Sequence, residues 1–208
     1  MYSAGGAYAS TEKQQICLSY SYCDGKESSC ENTVNSVQRL FYNIPINTYF
    51  SLDLDGISAL NDSVGGVDVV SPETIGEFVE GESYHLVGQQ AESFVRTRDT
   101  SKTDSNNMRM QRQKVYIQSF MNTVLQQTKK DLTTPIDLFN ASAPYSCTNL
   151  NPSKVSYLAQ QAVLGGMNGI DMVSVPGQVA MGSKYAEFNV SEAEFYQLFL
   201  SIYYTKIE

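Results

Sequence analysis

No stretch of this 208-residue chain approaches the roughly 20 consecutive apolar residues that a membrane-spanning helix needs. No secretory-leader pattern follows Met1 either. Positive charge is scarce: 14 Lys and Arg stand against 22 Asp and Glu, for a formal net charge of -8. Nucleic-acid binders carry basic stripes, so this balance argues against DNA or RNA as a partner. Histidine occurs once, as His85, and the four cysteines (Cys17, Cys23, Cys30 and Cys147) form no CxxC pair. A zinc site therefore lacks its usual ligand pattern. Cys23 and Cys30 bracket the polar run DGKESS, which leaves a local disulfide open beside the leading reading of thiols. What remains, at 42% apolar residues, is enough for a core, and the length suits one domain over residues 1–208.

Against this acidic background, one segment stands out. SFVRTRDTSKTDSNNMRMQRQ, from Ser93 to Gln113, holds five of the 14 basic residues, four of them arginines: Arg96, Arg98, Arg109 and Arg112. The planar guanidinium fork suits bidentate capture of phosphate better than lysine does. Arg96 and Arg98 are two apart, so an extended segment would point both to one side. Arg109 and Gln113 are four apart, and on a helix they would share a face with Ile117, Phe120, Met121, Val124 and Leu125. That face reads as the buried stripe, with Arg109 and Gln113 turned inward near a helix start that favours anions. The pattern points to a phosphate or pyrophosphate ligand. The competing interpretation is that the arginines pair with surface carboxylates.

Around that segment the sequence alternates helical and extended patterns. Helices are expected over Glu12–Tyr22, after a Ser28/Glu31 capping box, from Asp55 to Gly65-Gly66, over Gly88–Phe94, over Asn107–Lys129, and after a Ser191/Glu194 capping box. The helix after Ser28 would bury Val34, Val37, Leu40 and Phe41. Strands are expected over Tyr49–Leu54, with Phe50, Leu52 and Leu54 on one side, and over Val67–Val70, Ile170–Val175 and Lys184–Val190. Asp99–Asn106 reads as a polar loop beside the arginines. The mixture argues for a three-layer α/β domain. Fourteen Tyr and nine Phe either fill the core or line a lipid slot.

FVRTR, a polar loop and then MRMQRQ resemble the C-terminal signature of the LytR-CpsA-Psr family. The blocks YSAGG, SCENTVNSVQRLFYNIPINTYFSLDLDG, LNDSVGGVDVVSPE and SVPGQVAMGSKYAEFNVSEAEFYQLF resemble that family's domain in the same order. The resemblance implies a three-layer α/β/α sandwich around a central mixed β-sheet. It also implies an enzyme that transfers a glycopolymer, such as wall teichoic acid or capsular polysaccharide, from a polyprenyl-pyrophosphate carrier to peptidoglycan. A non-catalytic polyprenyl-phosphate binder or envelope sensor is the alternative. The matching catalytic and pyrophosphate-binding residues are Arg96, Arg98 and Arg109, with Gln113 as a further contact and Arg112 beside them. An apolar channel around Ile117, Met121 and Val124 would take the lipid. Where the family often has an Asp three residues before the helix arginine, this chain has Asn106, with Asp104 nearby.

The resemblance also implies magnesium, held by acidic residues on strands that would lie upstream of Met1. On that reading the chain is an N-terminally truncated portion, inactive as it stands, of a parent anchored at the outer face of the bacterial cytoplasmic membrane. It would be prone to dimerise through an exposed sheet edge.

Overall fold

The computed structural model describes residues 16–101, 105–181 and 186–205. The YSAGG block, the start of the Glu12–Tyr22 helix, Asp104 and the first residues of the Lys184–Val190 strand lie outside them. The chain divides into two compact units, residues 1–49 with 173–208 and residues 50–172.

In the first unit, α1 (Leu18–Ser21) packs on α2 (Glu27–Leu40). The fully buried residues of α2 are Ser29, Cys30, Asn32 and Ser36. Val34, Val37, Leu40 and Phe41, expected to form its buried stripe, are only half-buried. Hydrogen bonds explain the shift. Ser19 Oγ donates to Ser36 Oγ at 2.8 Å, and Asn32 Nδ2 donates to the Ser19 carbonyl at 2.5 Å. Nor does Ser28 cap the helix, because it lies within it. Asp24 Oδ1 instead accepts from the amides of Lys26 and Ser29, at 2.8 and 3.3 Å, which holds its carboxyl below the usual carboxylate range. Strands β5 (Gly177–Met181) and β6 (Ala186–Val190) pair antiparallel, and α8 (Glu192–Tyr203) follows Ser191, though without the expected side-chain capping bond. Phe195 and Phe199 of α8 are buried, with Phe41 and Tyr42 packed on Phe195 at ring separations of 5.2 and 5.6 Å.

The second unit holds β1 (Phe50–Leu52), α3 (Asp55–Ser63), β2 (Val67–Val70), β3 (Ser83–Leu86), α4 (Gln89–Arg96), α5 (Ser105–Lys130), α6 (Thr134–Ser142), β4 (Ser146–Thr148) and α7 (Pro152–Leu164). Its core joins Val64, Val67, Val69, Phe78, Leu86, Ala91, Phe94, Val95 and Tyr116. Phe78 meets Phe94 edge-on at 5.0 Å. Gly66 enters β2 at φ +91°; a Cβ there would strike the His85 ring and lie 2.9 Å from the Leu86 carbonyl.

The α/β class holds. Within it, strand pairing among the described residues takes the form of three two-stranded antiparallel ladders, β1–β4, β2–β3 and β5–β6. The expected central mixed sheet is not drawn in one piece. In β2, paired with β3, residues alternate buried and exposed, as in an antiparallel strand with one wet face. Residues 170–175 are not a strand. The Ile170 amide donates to Asn122 Oδ1 (3.1 Å) and its carbonyl accepts from Gln118 Nε2 (3.1 Å), so side chains of α5 take the bonds a ladder would have used. Strand Tyr49–Leu54 shortens to β1 because Leu54 already turns into α3. No helix among the described residues is long and apolar enough to cross a membrane. All four cysteines are thiols.

Candidate functional site

The site is built where α4 hands over to α5. On α4, Ala91, Phe94 and Val95 face the core, while Gln89, Glu92, Ser93 and Arg96 recur at helical spacing on the other side. That buried triplet carries the helix through Val95, so Arg96 lies in its last turn and not in an extended segment. The backbone opens only at Thr97, at φ -53° and ψ 135°. Arg96 and Arg98 are thus not an alternating extended pair. Arg96 Nη1 instead donates to Glu92 Oε1 one turn back.

Beside Arg96 is a cavity of about 390 Å³. Phe50 and Leu52 of β1, Leu54, Ile57 and Leu60 around α3, Val95, and Ile117 and Phe120 of α5 make its walls apolar. The polar groups on its lining are Arg96, Gln113 and Tyr116. Phe50, Leu52 and Leu54 therefore do share a side. Gln113 Nε2 donates to the Val95 carbonyl at 3.1 Å, which ties α5 to the end of α4. Ile117 lines the cavity, whereas Met121 and Val124 do not. Val124 is two turns further along α5 and packs on the core, and Met121 is 38% exposed. A second, polar depression of about 270 Å³ is lined by Gln89, Glu92, Ser93, Arg96 and Thr97. Arg96 borders both.

The other arginines are committed elsewhere. Arg98 is exposed, and its Nε donates to Ser105 Oγ at 3.0 Å. Arg109 Nη2 donates to Asn106 Oδ1 at 2.9 Å, so the residue standing in the family's Asp position holds this guanidinium. Neither arginine lines the cavity or the depression. Arg112 is fully buried. Its Nη2 donates to the Thr97 carbonyl, and its Nη1 stands 3.3 Å from Glu73 Oε1. Burial pushes the Arg112 pKa down, Glu73 opposes that, and neighbouring Arg109 adds to it. The buried stripe of α5 thus runs through Ser105, Arg112, Tyr116, Leu125 and Thr128, not through Arg109 and Ile117. Tyr116 and Glu73 escaped the sequence reading. The four-residue step from Arg112 to Tyr116 carried a signal for Tyr116, and none marked Glu73.

A profile of the LytR_cpsA_psr family matches residues 3–200. The chain belongs to that family. A 62-residue segment is 39% identical to the polyisoprenyl-teichoic acid–peptidoglycan teichoic acid transferase TagU of Bacillus anthracis, covering 28% of this chain. The match spans only 20% of that relative's length. Two solved structures share the fold. TagV of B. subtilis is 22% identical with a TM-score of 0.71, over 98% of this chain and 81% of TagV. TagT bound to LI-WTA is 14% identical with a TM-score of 0.67, over 97% of this chain and 73% of TagT.

Among the described residues, no three His, Cys, Asp or Glu side chains gather as a metal cage. They offer no ligand set that fits the magnesium the resemblance implies.

Proposed function

We propose that this LytR_cpsA_psr member is a phosphotransferase. It moves a glycopolymer, such as wall teichoic acid or capsular polysaccharide, from a polyprenyl-pyrophosphate carrier to peptidoglycan at the outer face of the cytoplasmic membrane. The observation that carries the reading is Arg96, a half-exposed guanidinium shared by an apolar cavity and a polar depression. An isoprenoid pyrophosphate needs that sequence of environments: a greasy wall for the tail, then fixed positive charge for the head. The family membership and the name of the TagU relative support the choice of polymer and acceptor.

In the reaction, a peptidoglycan hydroxyl oxygen attacks the phosphorus that bears the glycan. The bond from that phosphorus to the carrier phosphate breaks, and polyprenyl phosphate departs and can take up the hydroxyl proton. Charge growing on the departing phosphate is what Arg96 would neutralise.

The test is transfer of label from a polyprenyl-pyrophosphate-linked glycan to peptidoglycan by the full-length parent protein. Label should appear in the wall fraction, and Arg96→Gln should lower both lipid binding and transfer by about tenfold or more, as expected for a lost charged hydrogen bond. Lipid binding without transfer would replace this reading with the non-catalytic binder. Normal binding by Arg96→Gln would reduce the Glu92–Arg96 pair to an ordinary helix ion pair.

A further inference from the structure

We infer that Glu92 is the general base of the transfer, taking the proton from the acceptor hydroxyl as its oxygen attacks phosphorus. The inference rests on the phosphotransferase reading above and deepens it. The apolar cavity and the polar depression share Arg96 and no other lining residue. With the prenyl tail in the cavity and its pyrophosphate on Arg96, the bond that breaks points back toward the cavity. Attacking and leaving oxygens stand roughly in line in phosphoryl transfer. The attacking hydroxyl therefore arrives from the depression's side of Arg96.

That side offers one group to take its proton. Among the described residues, the lining is Gln89, Glu92, Ser93, Arg96 and Thr97. An amide, two hydroxyls and a guanidinium do not take up a proton in water, whereas a carboxylate does. Glu92 Oε1 accepts from Arg96 Nη1, and no described residue donates to Oε2. The second oxygen is thus open to an incoming hydroxyl while the first is held.

The pair differs from a mobile surface ion pair. The Glu92 side chain is 14% exposed against 53% for Arg96, so the acid is the shielded partner. Ala91, Phe94 and Val95, buried on the opposite face of α4, fix the helix beneath it. One guanidinium then orients the base and holds the phosphate, and general-base catalysis depends on that kind of placement.

The step balances. The hydroxyl oxygen bonds to the phosphorus that bears the glycan, and its proton passes to Glu92 Oε2. The bond to the carrier phosphate breaks, and its electron pair leaves on polyprenyl phosphate. Glu92 then gives the proton to the solvent, to which the depression opens.

The test uses the full-length parent and a labelled polyprenyl-pyrophosphate-linked glycan, with lipid binding and transfer to peptidoglycan measured separately. Glu92→Gln keeps an oxygen for Arg96 and removes the base. It should bind the lipid as the unaltered protein does, while transfer slows by about 100-fold, the low end for a lost general base because phosphoryl transfer depends mainly on charge and position. Glu92→Ala should be at least as slow, and added formate, a small carboxylate, should speed it. A Glu92→Gln parent that transfers at the normal rate, or that loses lipid binding together with transfer, overturns the base and leaves the carrier reading standing. So does a Glu92→Ala parent that formate does not speed. An unaltered parent that transfers no glycan overturns the phosphotransferase reading and this inference together.

Discussion

Arg112 and Arg96 show how differently two arginines of one motif can be used. Arg112 is fully buried, on the Thr97 carbonyl and beside Glu73, and no solvent-borne ligand reaches it. Its Nε and Nη1 and the facing Glu73 Oε1 find no hydrogen-bond partner, so this pair has little margin. Replacing Arg112 alone leaves Glu73 charged in a dry setting. We expect Arg112→Met to cost about 3–5 kcal/mol in urea unfolding, and Arg112→Met/Glu73→Leu to recover most of it. A double variant no more stable than the single one would mean that the pair contributes through the Thr97 contact instead.

At the scale of elements, α5 is held to its neighbours by polar ties as well as by packing. Tyr116 donates to Asn61 Oδ1 at 3.2 Å, and Asn61 Nδ2 donates to the Leu86 carbonyl at 2.8 Å, so α5, α3 and β3 meet in one buried chain. Asp62 Oδ1 then accepts from the Gly88 amide at 2.7 Å, at the start of α4. Burial raises the Tyr116 pKa above its ordinary value of 10.0, with Asp62 adding to the shift. The folded protein therefore keeps this phenol neutral where the unfolded chain would ionise it. That contribution is fully present below pH 10 and is lost as pH rises beyond it. Unfolding free energy measured from pH 9 to 11.5 should fall more steeply in the unaltered protein than in Tyr116→Phe. At neutral pH that variant should cost about 1 kcal/mol, for its lost hydrogen bond. Parallel pH curves would remove the assignment.

At the scale of the whole molecule, the β5–β6 ladder is one exposed apolar feature among the described residues. Val179, Met181 and Phe188 are 57%, 80% and 41% exposed, and Val179 lies directly across from Phe188. Among the described residues neither β5 nor β6 has a second strand partner, and apolar edges recruit other strands. Sedimentation velocity should show concentration-dependent self-association that Met181→Lys weakens. A chain that stays monomeric at all concentrations, or a variant that associates equally, would count against association through this edge.

Local pattern alone located much of this protein. Periodicity placed α3, β2, α4, α5 and α8 within a few residues, because each carries a stripe of apolar residues that only neighbouring chain can bury. The arginine segment was legible for the same reason: guanidiniums are conspicuous in an acidic chain. What the sequence could not decide was which arginine faces which environment. A turn of about 60° around the axis of α5, the angle between residues three apart, exchanges Arg109 for Arg112 as the buried cation, and that choice belongs to Glu73 and the Thr97 carbonyl, which are distant in sequence. Likewise, Ile170 reads as a strand until Asn122 and Gln118 take its backbone bonds. Strand partners and buried ion pairs are settled by contacts between separate elements, so they came only with the tertiary structure. The apolar wall that brings β1, α3 and α5 together beside Arg96 came the same way.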